Sequence, residues 1–156
     1  MQAPEAPYQF KHRLPIQMRF NDIDMLGHVN NSIYLQYMDL AKTDYIAEVL
    51  GDAFNYHREA IVIVNLNIEF YHITVPGEQV DVLTAVDSIA EKSMILHQRV
   101  VSRDTGEVKC VCRTVAVGFC VANDASMVIP GTWRELISQY EGRPMPMSDT
   151  ESTGQK

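Results

Sequence analysis

The sequence predicts an α+β protein in which an antiparallel sheet of five strands carries one long helix on one face. Three observations lead to this prediction. One strand-like segment precedes a long stretch with helical spacing, four more strand-like segments follow in succession, and the links between those four are short. Successive strands with short links favour antiparallel pairing, and the apolar side of a helix must be covered by another layer.

The N-terminal part of the chain is predicted to be a loose lead-in followed by an edge strand. Residues 1–12 contain prolines and are expected to lie outside the domain proper. Over residues 13–22 apolar and polar residues alternate, which is the pattern of a strand with one buried face. Pro15 cannot donate a backbone hydrogen bond, so it indicates a strand start or a sheet edge.

A long helix is predicted over residues 32–50. Its apolar residues recur at intervals of three and four, and Gly51 supplies a stop. Either Asn30 or Asn31 is a suitable N-cap, because a short amide side chain accepts a hydrogen bond from the first helical N–H groups. Residues 52–59 are expected to form a short helical turn or a loop.

The remaining elements complete a single domain predicted to span residues 13–141. Strands are predicted at 61–74, 80–90, 93–102 and 108–122. Pro76-Gly77 breaks the first of these, and Asp104-Thr105-Gly106 is typical of a tight hairpin turn. A final helix is predicted within 130–141, and the polar residues 142–156 are expected to be a disordered tail.

Composition excludes several classes of function. The chain has 156 residues and a net charge of −7 with no block of Lys and Arg, which argues against a nucleic-acid partner. No apolar run approaches the roughly 18 residues needed to span a bilayer, so no membrane association is expected. The N-terminus lacks a basic segment followed by an apolar one, and a cytoplasmic location is therefore expected. The three cysteines are interpreted as small apolar strand residues rather than metal ligands.

The most informative segment is residues 21–34, called here the signature segment. Its sequence is Asn-Asp-Ile-Asp-Met-Leu-Gly-His-Val-Asn-Asn-Ser-Ile-Tyr. It places two acids, a histidine, a glycine and two asparagines between a strand and a long helix. Such a turn can bring together a carboxylate, an imidazole and free helix N-terminal amides, which are the groups that acyl hydrolysis requires.

The signature segment resembles that of the hotdog-fold thioesterases, specifically the 4-hydroxybenzoyl-CoA thioesterase-like group of acyl-CoA thioesterases. The match comprises Arg19-Phe20-Asn21-Asp22-Ile23-Asp24, Gly27-His28-Val29-Asn30-Asn31 and Tyr34. A looser match runs from Ile68-Glu69-Phe70-Tyr71 to Pro76-Gly77-Glu78-Gln79-Val80. The resemblance covers about residues 13–122.

The resemblance implies an architecture and an assembly. The hotdog fold is a curved five-stranded antiparallel sheet wrapped around one long central helix. Members pair sheet edge to sheet edge as homodimers, often as homotetramers, with the active site at the subunit interface. The resemblance also implies no metal and no redox cofactor.

For the reaction, the resemblance assigns the catalytic carboxylate to Asp24, either as general base or as nucleophile. Asp22 is the competing acid, and a role in capping the turn is favoured for it. His28 corresponds to a functional histidine of related plant acyl-carrier-protein thioesterases, although a turn histidine bonded to the backbone is an equal alternative.

Four further residues complete the predicted site. The resemblance makes the backbone N–H of Asn31 the best candidate to polarise the substrate carbonyl, because the first turn of a helix has unpaired N–H groups. Gly27, Asn30 and Tyr34 are predicted to lie at the substrate, with capping an alternative for Asn30 and core packing for Tyr34.

The sequence therefore predicts an acyl-CoA thioesterase that hydrolyses a fatty or aromatic acyl thioester to the free acid and coenzyme A. Two alternatives remain open. One is a hotdog enzyme that acts on an acyl-carrier-protein thioester or hydrates an enoyl-CoA. The other is a non-enzymatic acyl-CoA-binding domain.

Overall fold

The computed structural model describes residues 1–145. In chain order the elements are β1 (His12–Ile16), α1 (Asn31–Val49), β2 (Glu59–Phe70), β3 (Val80–Ile89), β4 (Ser93–Ser102), β5 (Val108–Cys120), β6 (Ala125–Ser126) and α2 (Gly131–Glu141). Single 3-10 turns lie at Phe20–Asp22 and Gly51–Ala53. Residues 146–156, which make up most of the predicted tail, lie outside the described residues.

The strands form one sheet in the order β1-β3-β4-β5-β2, and the two-residue β6 pairs with β5. β1 runs antiparallel to β3 from the pair His12–Thr84 to the pair Ile16–Val80. The order places β1 and β2 at the two edges. The position of β1 explains how the sheet accommodates Pro15, because an edge strand leaves one row of N–H groups unused.

Several predicted boundaries differ from the observed ones. The helix predicted over 32–50 is confirmed as α1, whereas the strand predicted over 13–22 ends at Ile16. The Asp22 N–H donates to the Arg19 carbonyl at 3.0 Å and closes the 3-10 turn that follows β1, and the Asp22 side chain caps this turn by accepting from the Arg19 N–H at 2.9 Å. The strand predicted over 61–74 ends at Phe70, and the short β6 was not predicted.

The described residues divide into two compact units. The first comprises residues 1–45, 68–85 and 98–112. Its core joins the first turns of α1 to the sheet through the buried residues Val29, Tyr34, Tyr37, Met38, Ala41, Val80, Val82, Val100, Cys110 and Cys112. The apolar positions predicted on one side of the helix are thus the ones that are buried here.

The second unit comprises residues 46–67, 86–97 and 113 onward. Its α2 buries Trp133 and Ile137, and the Trp133 indole donates a hydrogen bond to the Ala53 carbonyl at 2.9 Å. Gly142 ends α2 in the left-handed conformation, and Met145 is buried. Within the described residues, no helix is long and apolar enough to cross a membrane.

Candidate active site

The signature segment folds into a tight hairpin between Ile23 and Val29, which form an isolated antiparallel bridge. The Gly27 N–H donates to the Asp24 carbonyl at 3.0 Å, and the Asp24 N–H donates to the His28 carbonyl at 3.2 Å. Gly27 has φ of +82°, the left-handed value that this hairpin type requires after its turn. A Cβ at Gly27 would meet nothing within 4 Å, so the backbone conformation is what favours glycine.

The Asp24 carboxylate is fixed by one hydrogen bond on each oxygen. Oδ1 accepts from the Leu26 N–H at 2.8 Å, and Oδ2 accepts from the Asn30 side-chain amide at 3.0 Å. The hydrogen bond from Asn30, followed by that from Leu26, lowers the pKa of Asp24 below its ordinary value. The carboxylate is therefore ionised at neutral pH, and it keeps further lone pairs for a substrate or a water molecule.

Asn30 connects the carboxylate to the helix. Its side-chain oxygen accepts hydrogen bonds from the N–H and the hydroxyl of Ser32, at 2.9 and 2.7 Å, so Asn30 is the N-cap of α1. Its amide nitrogen donates to Asp24. The predicted capping role is thus observed, and the same side chain also orients the carboxylate.

Asp22 occupies a different environment, although it lies only two residues from Asp24. It is 1% exposed, and it accepts hydrogen bonds from the Arg19 N–H at 2.9 Å and the Tyr37 hydroxyl at 2.7 Å. Burial acts to raise its pKa, but these hydrogen bonds and the Arg19 guanidinium outweigh burial and hold the pKa below its ordinary value. Asp22 is a structural acid that caps the turn, as the sequence favoured.

The start of α1 leaves the backbone N–H of Asn31 unused within the described residues. The Ser32 N–H is satisfied by the Asn30 side chain, and the Ile33 N–H donates to the Asn30 carbonyl at 2.9 Å. The N–H of Asn31, the first helical residue, has no acceptor within residues 1–145. It lies one residue after the side chain that holds the Asp24 carboxylate.

A small cavity of about 140 Å³ lies beside this helix start. It is lined by His28, Val29, Asn31, Tyr34, Phe70, Tyr71, His72 and Ile73. The Nδ1 atom of His28 lies 3.3 Å from the Val29 carbonyl oxygen, which is the backbone contact expected of a turn histidine. With a proton on Nδ1 donated to that carbonyl, Nε2 is left as an acceptor.

Tyr34 lies mainly in the core. It is 2% exposed, and its hydroxyl donates to the Thr74 hydroxyl at 2.8 Å. Burial raises the pKa of Tyr34, so the phenol is neutral. The Thr74 carbonyl in turn accepts from the Val29 N–H at 2.9 Å. Thr74 therefore supports both the hairpin and the first turn of α1, a link that sequence spacing gave no means of predicting.

Lys109 is a second supporting residue that the sequence did not reveal. Its ammonium group is buried and donates to the Ile73 carbonyl at 3.0 Å, Glu78 at 3.0 Å and Glu107 at 2.7 Å. Two of these acceptors, Ile73 and Glu78, lie at the two ends of the segment 73–78, which contains Thr74, so Lys109 holds this segment at both ends. A lone lysine in a strand pattern gives no signal of such a role, because its partners lie 2, 31 and 36 residues away.

A larger cavity of about 630 Å³ also borders the hairpin. Asp24 lines it together with the apolar side chains of Ile16, Met18, Phe20 and Ile23, and with Pro76, Gly77, Glu78, Gln79, Arg19 and Arg103. Pro76 to Gln79 belong to the second, looser sequence match. Asp24 is thus among the residues that line the larger cavity, and Asn31 is among those that line the smaller one.

Comparisons with known proteins agree with this architecture. The family model described as the thioesterase-like superfamily matches residues 18–150. The long-chain acyl-CoA thioesterase FadM of Escherichia coli is 26% identical over 127 residues, which cover 80% of this chain and 95% of FadM.

Solved structures show the same fold. A thioesterase from Thermus thermophilus, crystallised with coenzyme A and Zn, superposes with a TM-score of 0.76 at 27% identity and covers 87% of this chain and 98% of its own. A 1,4-dihydroxy-2-naphthoyl-CoA thioesterase from Synechocystis superposes with a TM-score of 0.70 at 16% identity, over 81% of this chain and 94% of its own.

A curled antiparallel sheet with a long helix, and a carboxylate beside the start of that helix, define the hotdog class of α+β enzymes. The fold class predicted from the sequence is confirmed. This chain belongs to the thioesterase-like superfamily, and its identification as a thioester hydrolase is confirmed by that membership.

Proposed function

We propose that this chain is an acyl-CoA thioesterase in which Asp24 and the N–H of Asn31 carry the reaction. The single observation that carries the proposal is the hydrogen bond between Asn30 and Asp24, because it fixes an ionised carboxylate next to an unpaired helix N-terminal donor. The similarity to FadM, a long-chain acyl-CoA thioesterase, supports an acyl-CoA substrate and favours a fatty acyl group over an aromatic one.

The reaction needs a nucleophile for the thioester carbon and a donor for the oxygen that becomes negative. Asp24 either removes a proton from the attacking water or attacks the carbonyl itself. The Asn31 N–H and the positive end of α1 stabilise the oxyanion. Thiolate leaves readily, so no strong general acid is required. We infer that His28 exchanges a proton through Nε2, the nitrogen that does not contact the Val29 carbonyl.

We also infer that the protein functions as a homodimer or a higher homo-oligomer. β2 lies at a sheet edge, and its apolar side chains Val62, Ile63, Val64 and Leu66 are between 38% and 59% exposed. An exposed apolar edge strand favours pairing with another strand. Met25 and Leu26 of the hairpin and Phe20 of the preceding 3-10 turn are also largely exposed, and a second subunit would cover these apolar side chains.

The proposal is tested by measuring free thiol released from acyl-CoAs of different chain length and from aromatic acyl-CoAs. We expect Asp24→Asn to fold normally and to lose about 10²–10⁴-fold in kcat, the usual contribution of a general base. The carboxylate of Asp24 accepts one bond from the Asn30 amide and one from the Leu26 N–H. The NH₂ group of an asparagine would face one of these two donors, so one of the two hydrogen bonds would be lost.

Two variants serve as controls. Asp52→Asn changes an exposed acid in the second unit and should leave kcat unchanged. Asp22→Asn should retain much more activity than Asp24→Asn, because Asp22 is buried and already bonded to Arg19 and Tyr37. Full activity in folded Asp24→Asn would remove Asp24 from the mechanism, and the absence of thiol release from every acyl-CoA would contradict the proposed function.

A further inference from the structure

The larger cavity is lined in part by a basic group that the proposed reaction does not use. Asp24 lines this cavity, and so does Arg103, which lies just after β4 at the turn that leads to β5. The Arg103 N–H donates to the Gln79 carbonyl at 2.8 Å, and its guanidinium Nη1 donates to the Gln79 side chain at 3.0 Å. The position of this guanidinium is therefore set by the protein before any ligand binds.

Arg103 is paired with a second arginine through one buried carboxylate. Asp81, 1% exposed, accepts from Arg103 Nε at 2.8 Å on one oxygen and from Arg13 Nη1 at 2.6 Å on the other. The Arg13 and Arg103 side chains remain 51% and 36% exposed. Two guanidinium groups are thus held side by side, and their remaining donors have no acceptor within the described residues.

The local charge favours an anion at this point. The Arg13–Asp81–Arg103 group has a net charge of +1 within a chain whose net charge is −7. Glu78, another acid of the cavity, is already paired with the buried ammonium of Lys109 at 3.0 Å. Arginine pairs are well suited to phosphate, because each planar guanidinium can donate two parallel hydrogen bonds.

We propose that Arg13 and Arg103 bind a phosphate group of the coenzyme portion of the substrate, with the pantetheine arm in the larger cavity and the thioester at Asp24. The lining of the cavity combines apolar residues with the polar residue Gln79, which suits an arm that carries amides better than a plain hydrocarbon chain. This inference rests on the proposed function.

The test compares one acyl group on two carriers, coenzyme A and pantetheine, the second of which has no phosphate. For Arg13→Gln and Arg103→Gln we expect KM for the acyl-CoA to rise about tenfold, the usual value of a charge-assisted hydrogen bond, with kcat unchanged. Hydrolysis of the acyl-pantetheine should not change. Arg113→Gln, which removes an exposed guanidinium in the second unit, should affect neither substrate.

A third substrate, the same acyl group on coenzyme A without its 3′-phosphate, identifies which phosphate is bound. If the KM effect of the arginine variants disappears with this substrate, the 3′-phosphate is the ligand, and if it persists, the diphosphate is. Equal losses on acyl-CoA and acyl-pantetheine, or no loss on either, would overturn the inference. No thiol release by the wild type from any of the three would instead overturn the proposed function.

Discussion

At the residue scale, the two acids of the signature segment have separate roles because the backbone turns between them. Asp22 closes a 3-10 turn and points into the core, whereas Asp24 lies in the hairpin and borders a cavity. Both have a pKa below the ordinary value, each through hydrogen bonds donated to its carboxylate. The contacts of the carboxylate, rather than its ionisation, distinguish the two acids.

The assignment of the oxyanion donor leads to a prediction about Asn31. Replacing Asn31 by proline removes its N–H, while proline is tolerated at the first position of a helix. We expect this change to lower kcat about 10²–10³-fold, the usual cost of losing one such donor. Asn31→Ala keeps the N–H and should be much less damaging, because the exposed Asn31 side chain has no hydrogen bond within the described residues.

Circular dichroism should confirm that both Asn31 variants are folded before their kcat values are compared. Equal damage from alanine and from proline would mean that the side chain, and not the backbone donor, is required.

Asp22 leads to a prediction about stability and pH. Its folded-state pKa is lowered, so its contribution to stability is present above the unfolded pKa and is lost as the pH falls through the folded one. Asp22→Asn should therefore lower the free energy of unfolding at pH 7 by about 1–3 kcal/mol, the cost of weakening buried hydrogen bonds to a charged group.

The difference in stability between Asp22→Asn and wild type should shrink as the pH falls below about 3.8, the ordinary pKa of an aspartate. Urea unfolding at several pH values measures it, with the exposed Asp52→Asn as the control. A difference that does not change with pH would mean that the charge of Asp22 contributes nothing to stability.

At the element scale, the side chains of α2 and of the residues that follow it cover part of the β3 edge. β1 pairs with β3 only as far as Thr84. Beyond that point Arg143 donates to the carbonyls of Val86 and Asp87, and Arg134 donates to those of Ile89 and Ala90 at 2.9 and 2.7 Å. Two guanidinium groups thus take the hydrogen-bonding place of a neighbouring strand, which protects an open edge from aggregation.

The double variant Arg134→Ala, Arg143→Ala should therefore unfold at a lower temperature and aggregate faster. Hydrogen bonds to charged groups contribute about 1.5–3 kcal/mol each, so a Tm lower by several degrees is expected. Light scattering during heating measures both effects, and Gln139→Ala on the exposed side of the same helix is the control. Unchanged Tm and aggregation would show that these bonds contribute little to the edge.

At the scale of the whole molecule, the open question is assembly. The exposed apolar residues of β2 favour an edge-to-edge homodimer, and Val64 is the most exposed of them at 59%. Val64→Glu should shift the protein towards the monomer, because a buried unpaired charge opposes association. Light scattering at micromolar concentration reports the change, and Val121→Glu, at a residue 49% exposed outside β2, is the control.

If the active site lies at the interface, the Val64→Glu monomer should also lose thiol release. A wild-type monomer with full activity would contradict both the dimer and an interfacial site.

The sequence by itself determined the features that depend on local pattern. Helical spacing and a capping asparagine located α1 and its start, and a run of short-linked strands determined the antiparallel sheet. The resemblance of the signature segment to the hotdog thioesterases pointed to Asp24 and the adjacent helix start as the candidate site. The helix and the sheet depend on residues within a few positions of one another, where backbone preference and side-chain spacing are sufficient.

Only the tertiary structure decided the features that depend on distant partners. The Tyr37 hydroxyl, 15 residues away along the chain, donates to Asp22 and helps to hold this acid in the core. Lys109 is buried because its three acceptors converge on its ammonium group. Arg13 and Arg103 both bind Asp81, although Arg13 is 68 residues and Arg103 is 22 residues away from it along the chain. The spacing of residues along the chain does not encode such meetings, because they arise only when β1, β3, β4 and β5 have assembled into one sheet.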